Sequence, residues 1–319
     1  MKKLTLTAIA IASAFAASAN AADIYKGDNL AFNMGGRVEA RSQFSDQGKD
    51  NKANEKQEDQ SRARLNFEAK TQITEDVFAR GFVEKEFTKN NSNDTRYLYV
   101  AVGNDNNELQ YGKTDGALVQ ITNYTDILNT YGAEASSKSV TADRADNQLL
   151  YIGNYGDLTV NAALNGGGET VDTDNTGTTI DKGYGLSASY DFGMLKAGAG
   201  YAKETHDGFK AKDSDNLLLS LGSDLTDQLY VGALYVDGSQ FGDDFQGYEL
   251  ASSYAFTEKL TLAGTYTSVK FDSATDDSNK AALDLGYQAT SYFKTYVGVS
   301  KAFTLNEELK ALLGAKVTF

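Results

Sequence analysis

Apolar and polar residues alternate along most of the chain. In residues 62–70, apolar side chains such as Ala63 and Phe67 take the odd positions, and charged residues such as Arg64 take the even ones. Residues 32–43 repeat the pattern. Side chains on a β-strand point alternately to opposite faces, so a period of two predicts strands with one apolar and one charged face. The alternation alone fits a soluble β-sandwich as well as a membrane barrel.

The number and spacing of these segments favour the barrel. Sixteen of them fall near residues 30–45, 60–74, 77–89, 94–103, 107–113, 145–154, 157–165, 182–192, 194–205, 213–224, 227–238, 246–256, 259–271, 279–289, 292–303 and 308–319. Tight turns alternate with longer polar connections, which we expect at 46–59, 166–181, 206–212, 239–245 and 272–278. Short turns at one end and long loops at the other, joined by strands of about ten residues, are typical of outer-membrane barrels.

Physical chemistry supports the same interpretation. Lipid cannot form hydrogen bonds with peptide groups, so a sheet that spans a membrane has to close and leave no edge. Sixteen strands leave an aqueous channel, whereas eight are nearly filled by their own side chains. Charged residues such as Arg37 and Glu68 on the polar faces would need partners in a dry core, but not against water.

The composition excludes several classes of protein. The chain has no Cys, so it has no disulfide scaffold, thiolate metal site or cysteine nucleophile. It has no Pro, which suits continuous hydrogen-bonded sheet. The formal net charge of −14 argues against nucleic-acid binding, because a phosphate binder needs a basic face. We expect no cofactor.

The first residues have the pattern of an export signal. Lys2 and Lys3 precede an apolar stretch that ends in Ala19-Asn20-Ala21, a small-residue cleavage site. We expect residues 1–21 to be a cleaved signal peptide and residues 22–319 to form the mature barrel.

The third long connection differs from the rest of the chain. Thr114–Arg144 has neither a period of two nor a helical stripe, although it is long. An ordered loop of this length is uncommon unless it has a function. We expect it to fold into the lumen and to set the size of a water-filled hole.

Five stretches resemble the general trimeric porins of Gram-negative bacteria. They are Ala22–Tyr25, Ala63–Glu68, Tyr111–Lys113, Tyr124–Asp126 and the terminal Phe319. The resemblance implies an all-β, 16-stranded antiparallel transmembrane barrel with an inward-folded third loop. It also implies a homotrimer in the outer membrane, in contact with lipid and lipopolysaccharide, that passes small hydrophilic solutes and ions and is not an enzyme.

The resemblance also implies a pore constriction between basic residues of the wall and acids of the third loop. By matching position these are Arg37, Arg64, Lys113 and Arg144 on the wall, and Asp126 and Glu134 on the loop. Alternation, however, puts Lys113 on the face of Leu109 and Tyr111. Opposed charges would order water across the lumen and disfavour apolar solutes. We expect weak ion selectivity that leans towards cations.

The sequence leaves other functions open. A barrel selective for oligosaccharides or phosphate is the main alternative, and a secreted adhesin is another. An outer-membrane hydrolase would need a catalytic group around His206, the single histidine, which we expect in a solvated loop. Asp172–Gly183 lacks the final Glu of a calcium loop. We expect several tyrosines to form girdles at the membrane interfaces: Tyr97, Tyr99, Tyr254, Tyr266, Tyr287, Tyr292 and Tyr296.

Overall fold

The computed structural model describes residues 22–46, 56–89, 93–132, 135–171, 177–208, 212–304 and 309–319. The expected signal peptide and the start of the calcium-like stretch lie outside these residues. The described chain is mostly strand. Its strands are β1 (Ala22–Lys26), β2 (Leu30–Asp46), β3 (Lys56–Asp59), β4 (Arg62–Gln72), β5 (Phe78–Thr88), β6 (Asn93–Gly103), β7 (Asn107–Asp115), β8 (Arg144–Tyr155), β9 (Leu158–Asn165), β10 (Thr179–Asp191), β11 (Leu195–Asp207), β12 (Ser214–Asp224), β13 (Leu229–Gln240), β14 (Asp243–Ala255), β15 (Leu260–Phe271), β16 (Ser278–Gln288), β17 (Phe293–Ala302) and β18 (Leu309–Thr318).

The strands form one closed antiparallel sheet. From β4 onward each strand pairs with the next, and β18 pairs with β2 from Leu309↔Asp46 to Thr318↔Arg37. The short β1 and β3 both pair with β2, β1 through Ala22↔Met34 and β3 through Ser42↔Asp59. The other sixteen strands close the barrel, which confirms the predicted 16-stranded antiparallel β-barrel. The sequence patterns missed β1 and β3, because neither is long enough to show an alternation.

The two faces of the wall are as different as the alternation predicts. On β6, Leu98, Val100 and Val102 are 47–63 % exposed, whereas the intervening Ala101 is buried. Exposed apolar side chains recur at every second position on many other strands. A wide apolar surface of this kind is stable only when another apolar phase covers it. The apolar face is therefore the one suited to lipid, and the polar face is enclosed.

The connection between β13 and β14 is shorter than predicted. The expected long loop at 239–245 is wrong, because Asp243 and Asp244 pair with Gln240 and Ser239 and so belong to β14. The turn itself contains only Phe241 and Gly242, with φ of 50° and 73°. Two positive φ angles suit a two-residue hairpin whose twist matches its strands. Aspartates are common in loops, but here Asp243 and Asp244 are paired strand residues.

Residues 116–143, named here the long segment, connect β7 to β8. They include two single-turn helices, α1 (Val119–Thr122) and α2 (Val140–Asp143). Among the residues that the structure describes, no helix has the length and apolar character needed to cross a membrane. Leu118, Ile121 and Ala142 pack with apolar residues of the strands in a buried cluster that also contains Ala135, Ala202, Leu218, Leu234, Val236, Phe245 and Val269. The main apolar core of the described chain therefore lies between the long segment and one side of the wall.

Candidate functional site

Arginine and glutamate side chains of adjacent strands meet on the polar face. Arg62 Nε donates to Glu39 Oε2 at 2.6 Å, and Arg37 Nε lies 3.6 Å from Glu39 Oε1. Arg64 donates to Glu86. The register explains this network, because Glu39 is opposite Arg62 and Arg64 is opposite both Arg37 and Glu86. The structure therefore brings the predicted Arg37 and Arg64 together, and adds Arg62.

Arg96 joins this network on the polar face, although strict alternation along β6 would place it on the apolar face. Its Nε donates to Glu84 Oε1 at 2.9 Å, and the Glu84 carboxylate also lies 4.0 Å from Arg64 Nη1. The pairing of β5 with β6 shifts between Glu84 and Lys85, so Arg96 lies at a bulge. Simple alternation would have put Arg96 on the face opposite Tyr97. No signal in the sequence marks the bulge.

Arg144 forms a second polar group with Tyr97 and Asp115. Arg144 Nη1 donates to the Tyr97 hydroxyl at 3.1 Å, and that hydroxyl donates to Asp115 Oδ1 at 2.8 Å. The guanidinium lies 4.9 Å from the centroid of the Tyr97 ring. The expectation that Tyr97 belongs to an interface girdle is therefore wrong, because the ring lies on the polar face.

The prediction that Tyr99 belongs to an interface girdle is wrong for the same reason. The Arg80 guanidinium lies 5.5 Å from the centroid of the Tyr99 ring, and Arg80 donates to Glu68 at 3.0 Å and to Glu108 at 2.5 Å. Tyr99 shares its strand face with Tyr97, and both rings contact Phe82. Aromatic residues on a barrel strand therefore do not by themselves identify the lipid side.

Lys113 is not part of either group. It is opposite Leu98, which is 59 % exposed on the apolar face. Its ammonium lies 3.5 Å from Asp146 Oδ2. Directly paired residues of an antiparallel sheet point to the same face, so the structure places Lys113 on the side predicted by alternation. A role for Lys113 in a constriction remains a prediction that this geometry does not favour.

The charged network borders a cavity of about 580 Å³ on the polar face. Arg37, Arg64 and Arg96 line it from the wall. The long segment contributes Gly116, Val119, Gln120, Asn123 and Tyr124. Further basic side chains come from other strands, namely Arg80, Lys196, Lys294 and Lys316. Wall and long segment therefore share one polar, water-accessible space.

On the opposite part of the wall, buried polar side chains bind the backbone of the long segment. Glu204 Oε2 accepts from Thr141 N at 2.9 Å. Asn216 Oδ1 accepts from Ser139 N at 2.8 Å. Glu204 and Asn216 are at most 1 % exposed. A buried amide is costly without an acceptor, so these contacts fix the position of the segment.

The middle of the long segment is held at three further strands. Asp284 of β16 accepts from Asn129 N at 3.1 Å and from Asn129 Nδ2 at 2.7 Å. On β2, Arg41 Nη2 donates to the carbonyl oxygen of Thr130 at 3.4 Å. Thr130 also packs against Gly298 of β17, where any side chain would collide with it. The segment leaves the wall between β7 and β8 and contacts it again at β16, β17 and β2.

His206 belongs to this anchoring and not to a solvated loop. Its side chain is 0 % exposed, and Nε2 lies 2.9 Å from Glu204 Oε1. Nδ1 lies 2.6 Å from the carbonyl oxygen of Lys212. The ring also packs against Phe241. The loop prediction for His206 is wrong, because β11 continues to Asp207 and the ring is enclosed by Glu204, Lys212 and Phe241.

The carboxylates of the long segment differ in whether a nearby cation balances their negative charge. Asp143 Oδ1 lies 2.6 Å from Lys138 Nζ. Burial would raise the pKa of Asp143, but the nearby cations, Lys138 first and then Arg144 and Arg96, outweigh burial and lower that pKa. The pKa of Asp126 is raised by desolvation, although its side chain retains solvent exposure. Glu134, the other predicted acid, lies outside the described residues.

Comparison with known proteins decides the family. A family model described as Gram-negative porin matches residues 5–304. This chain belongs to the Gram-negative porin family. The porin is 34% identical to porin-like protein L of Photobacterium profundum over 92% of this chain and 90% of that protein. It is therefore an outer-membrane channel.

Solved structures agree with the fold of this porin. OmpF of Salmonella typhi, in complex with daunomycin, superposes with a TM-score of 0.82 at 17% identity. That match covers 93% of this chain and all of OmpF. In-vitro folded OmpT of Vibrio cholerae, in trimer form, gives 0.71 at 15% identity, covering 92% of this chain and all of OmpT. The porin barrel is thus preserved despite low sequence identity.

Proposed function

We propose that the long segment lies inside the barrel and forms the constriction of a general-diffusion channel. The observation that carries this proposal is the route of the segment. It leaves the wall between β7 and β8, is bound by Glu204 and Asn216, and contacts Asp284 and Arg41 far around the barrel. All these side chains belong to the polar face. A segment bound to that face at such separate strands has to cross the enclosed space.

The charges across this constriction suit the passage of small hydrophilic solutes. Arg37 and Arg64 line the cavity from the wall. Asp126, an exposed residue of the long segment outside that lining, supplies the opposed negative charge. We propose that Glu134 adds a second acid to the segment and that Arg144 acts at its base. Water held between opposed charges is displaced at a cost by solutes that cannot replace its hydrogen bonds. Polar solutes replace them and pass.

The ion preference of the channel should be weak, but its sign is opposite to the one expected from net charge. The cavity lining contains more basic than acidic side chains, the acidic ones being Glu68, Glu84 and Asp115. Charges in the narrowest region act on ions more strongly than distant loop charges, which salt screens. We therefore propose a slight preference for anions.

We also propose a homotrimer, with residues 1–21 removed on export. OmpT, whose fold this chain shares, is trimeric in one of its structures. The exposed apolar face of the barrel supplies the surface for lipid and for neighbouring subunits. Lipopolysaccharide is the proposed partner at the long-loop end, where loops of outer-membrane barrels face the outside.

Channel recordings in planar bilayers test the constriction. Residues 117–142 are replaced by a short Gly-Ser linker, and single-channel conductance and the size limit for neutral polyethylene glycols are measured. We expect both to increase, because the segment no longer narrows the lumen. A matched control replaces residues 272–277, the connection between β15 and β16, and should leave both unchanged. Equal values for the native and linker proteins would contradict the proposal.

A further inference from the structure

Two lysines face each other across the last two barrel strands without a partner. Lys294 of β17 is directly opposite Lys316 of β18, and both line the cavity. Within the part of the chain that the structure describes, neither ammonium has an ion pair or a hydrogen bond. Like charges directly opposite each other destabilise a sheet. The fold therefore keeps an unfavourable arrangement where it faces the solute path.

A third cation lies beside them. Thr318 follows two residues after Lys316 on the same face and is directly opposite Arg37 of β2. Arg37 also lines the cavity, so the three cationic groups come from the adjacent strands β17, β18 and β2. Their positive potentials add in the water between them.

The acids near these cations are already bound elsewhere. Glu39 is opposite Lys316, but its carboxylate contacts Arg62 at 2.6 Å and Arg37 at 3.6 Å. Asp284 accepts two hydrogen bonds from Asn129 of the long segment. The cavity residues contributed by β16 to β18 and their turns are Gln288, Ser291, Lys294, Lys316 and Thr318, which include no acid. Among the described residues, the two ammonium groups therefore face the cavity without a direct ion pair, and Arg37 shares the single carboxylate of Glu39 with Arg62.

Glycines in the wall make room for the side chains around the two lysines. A Cβ atom on Gly286 would lie 3.0 Å from Lys294 Cε and 3.3 Å from Asn129 Nδ2. Glycine at this position lets the lysine chain lie close to the strand. On the neighbouring strands, Gly314 accommodates the ring of Tyr296 in the same way. The hydroxyl groups of Ser291 and Thr318 lie at the short-turn end of the same cavity.

We propose that Lys294, Lys316 and Arg37 form a binding subsite for small oxyanions at the short-turn end of the lumen. Short turns of outer-membrane barrels face the periplasm, so solutes meet this subsite on the periplasmic side of the constriction. The subsite binds anionic oxygens through two ammonium groups and one guanidinium and concentrates them next to the narrowest point. It rests on the proposed function, because these side chains meet solutes only if the polar face lines the lumen.

Inorganic phosphate is the probe for this subsite. Phosphate is added to one side of a bilayer that contains oriented channels in potassium chloride, and the concentration giving half of its effect on the current is measured. The variant is Lys294→Gln with Lys316→Gln. The control, Lys196→Gln with Lys301→Gln, removes two charges as well, one at Lys196 in the same cavity and one at the exposed Lys301 on β17.

We expect a saturable effect of phosphate in the native channel, stronger from the short-turn side. Removing two charges near a bound anion should raise the half-effect concentration about tenfold, since each charge contributes several-fold even in water. The control should stay within about twofold of the native value. The variant should assemble normally, because it removes a repulsion.

Two results would overturn the subsite. One is an equal phosphate response in the native channel and in the Lys294 and Lys316 variant. The other is an equal loss in the control. Heats of phosphate binding to detergent-solubilised protein give a second readout without current, and they should fall in the variant alone. Neither result tests the proposed constriction. That proposal fails separately if the linker replacing residues 117–142 leaves conductance unchanged.

Discussion

Two parts of the wall use the same alternation for different purposes. In the charged arc, formed by β2, β4, β5 and β6, acids on the polar face bind arginines of neighbouring strands, as Glu39 binds Arg62. In the anchoring arc, formed by β10 to β16, acids on the polar face bind backbone amides of the long segment, as Glu204 binds Thr141. The arginines of the charged arc keep partial solvent contact, with Arg37 27 % exposed, although their partner Glu39 is buried. Glu204 and Glu249 of the anchoring arc are buried too, and they bind backbone of the long segment.

The same alternating strand pattern therefore yields charged side chains with two different roles, one in the electric field of the lumen and one in the stability of the fold. Ion pairs of the charged arc balance one another's charge and keep partial contact with water through their arginines, so their main value lies in the electric field that they create. Buried acceptors of the anchoring arc are expensive to remove, because the amide left behind has no partner. Mutations in the charged arc should therefore change ion flow, and mutations in the anchoring arc should change stability and the steadiness of the channel.

The largest effect is expected from Glu204→Leu in the anchoring arc. It leaves the amide of Thr141 unsatisfied and removes the partner of His206, at a cost of about 1–3 kcal/mol. Urea unfolding should show the lower stability, and single-channel recordings should show frequent closures as α2 detaches. Glu204→Gln is the control, since its amide oxygen still accepts the hydrogen bond. Native stability in urea and native single-channel recordings for Glu204→Leu would mean that the anchoring arc does not hold the segment.

A smaller effect on flow, with little effect on stability, is expected from Arg64→Ala in the charged arc. It removes one cation from the cavity and leaves Glu86 only its longer contact with Arg62, so the permeability ratio should shift towards cations by about two- to fivefold. The reversal potential in a salt gradient measures this shift. A large loss of stability with unchanged reversal potential would reverse the comparison between the two arcs.

Asp126→Asn should shift selectivity in the other direction and link it to pH. Since desolvation raises the pKa of Asp126, its carboxylate takes up a proton at a higher pH than an ordinary aspartate, whose pKa is about 4. As pH falls through this range, the native channel should lose cation permeability and approach the behaviour of Asp126→Asn. Reversal potentials at a series of pH values measure the convergence. If the two channels differ fully down to pH ~4, the carboxylate is not desolvated as described.

The smallest effect is expected from Lys113→Gln. Lys113 pairs with Asp146 and is opposite Leu98 on the apolar face, so neither conductance nor reversal potential should change. Arg64→Gln, a loss of charge from the lumen, serves as the positive control in the same assay. A shift in Lys113→Gln as large as that in Arg64→Gln would restore the role that the family resemblance implied.

The sequence was sufficient for the wall and insufficient for what lies against it. A period of two identified the barrel strands and the faces of Arg37 and Arg64, because alternation is a local property. Arg96 and Phe241 depend on a bulge and a tight turn, which alternation does not register. Glu204 could not be recognised as an anchor, since an acid on the polar face looks the same whether it meets water or a distant backbone amide.

The most direct test of the whole account is a disulfide between the long segment and the wall. The chain has no Cys, so Thr130→Cys with Gly298→Cys introduces the only pair. A Cβ atom on Gly298 would lie 2.8 Å from Thr130 Cβ, and a small shift gives the separation of about 3.8 Å that disulfides need. We predict rapid crosslinking on oxidation, with an open channel whose conductance matches that of the reduced protein. Failure to crosslink, or a conductance that changes when the bond forms, would contradict a segment resting across the lumen.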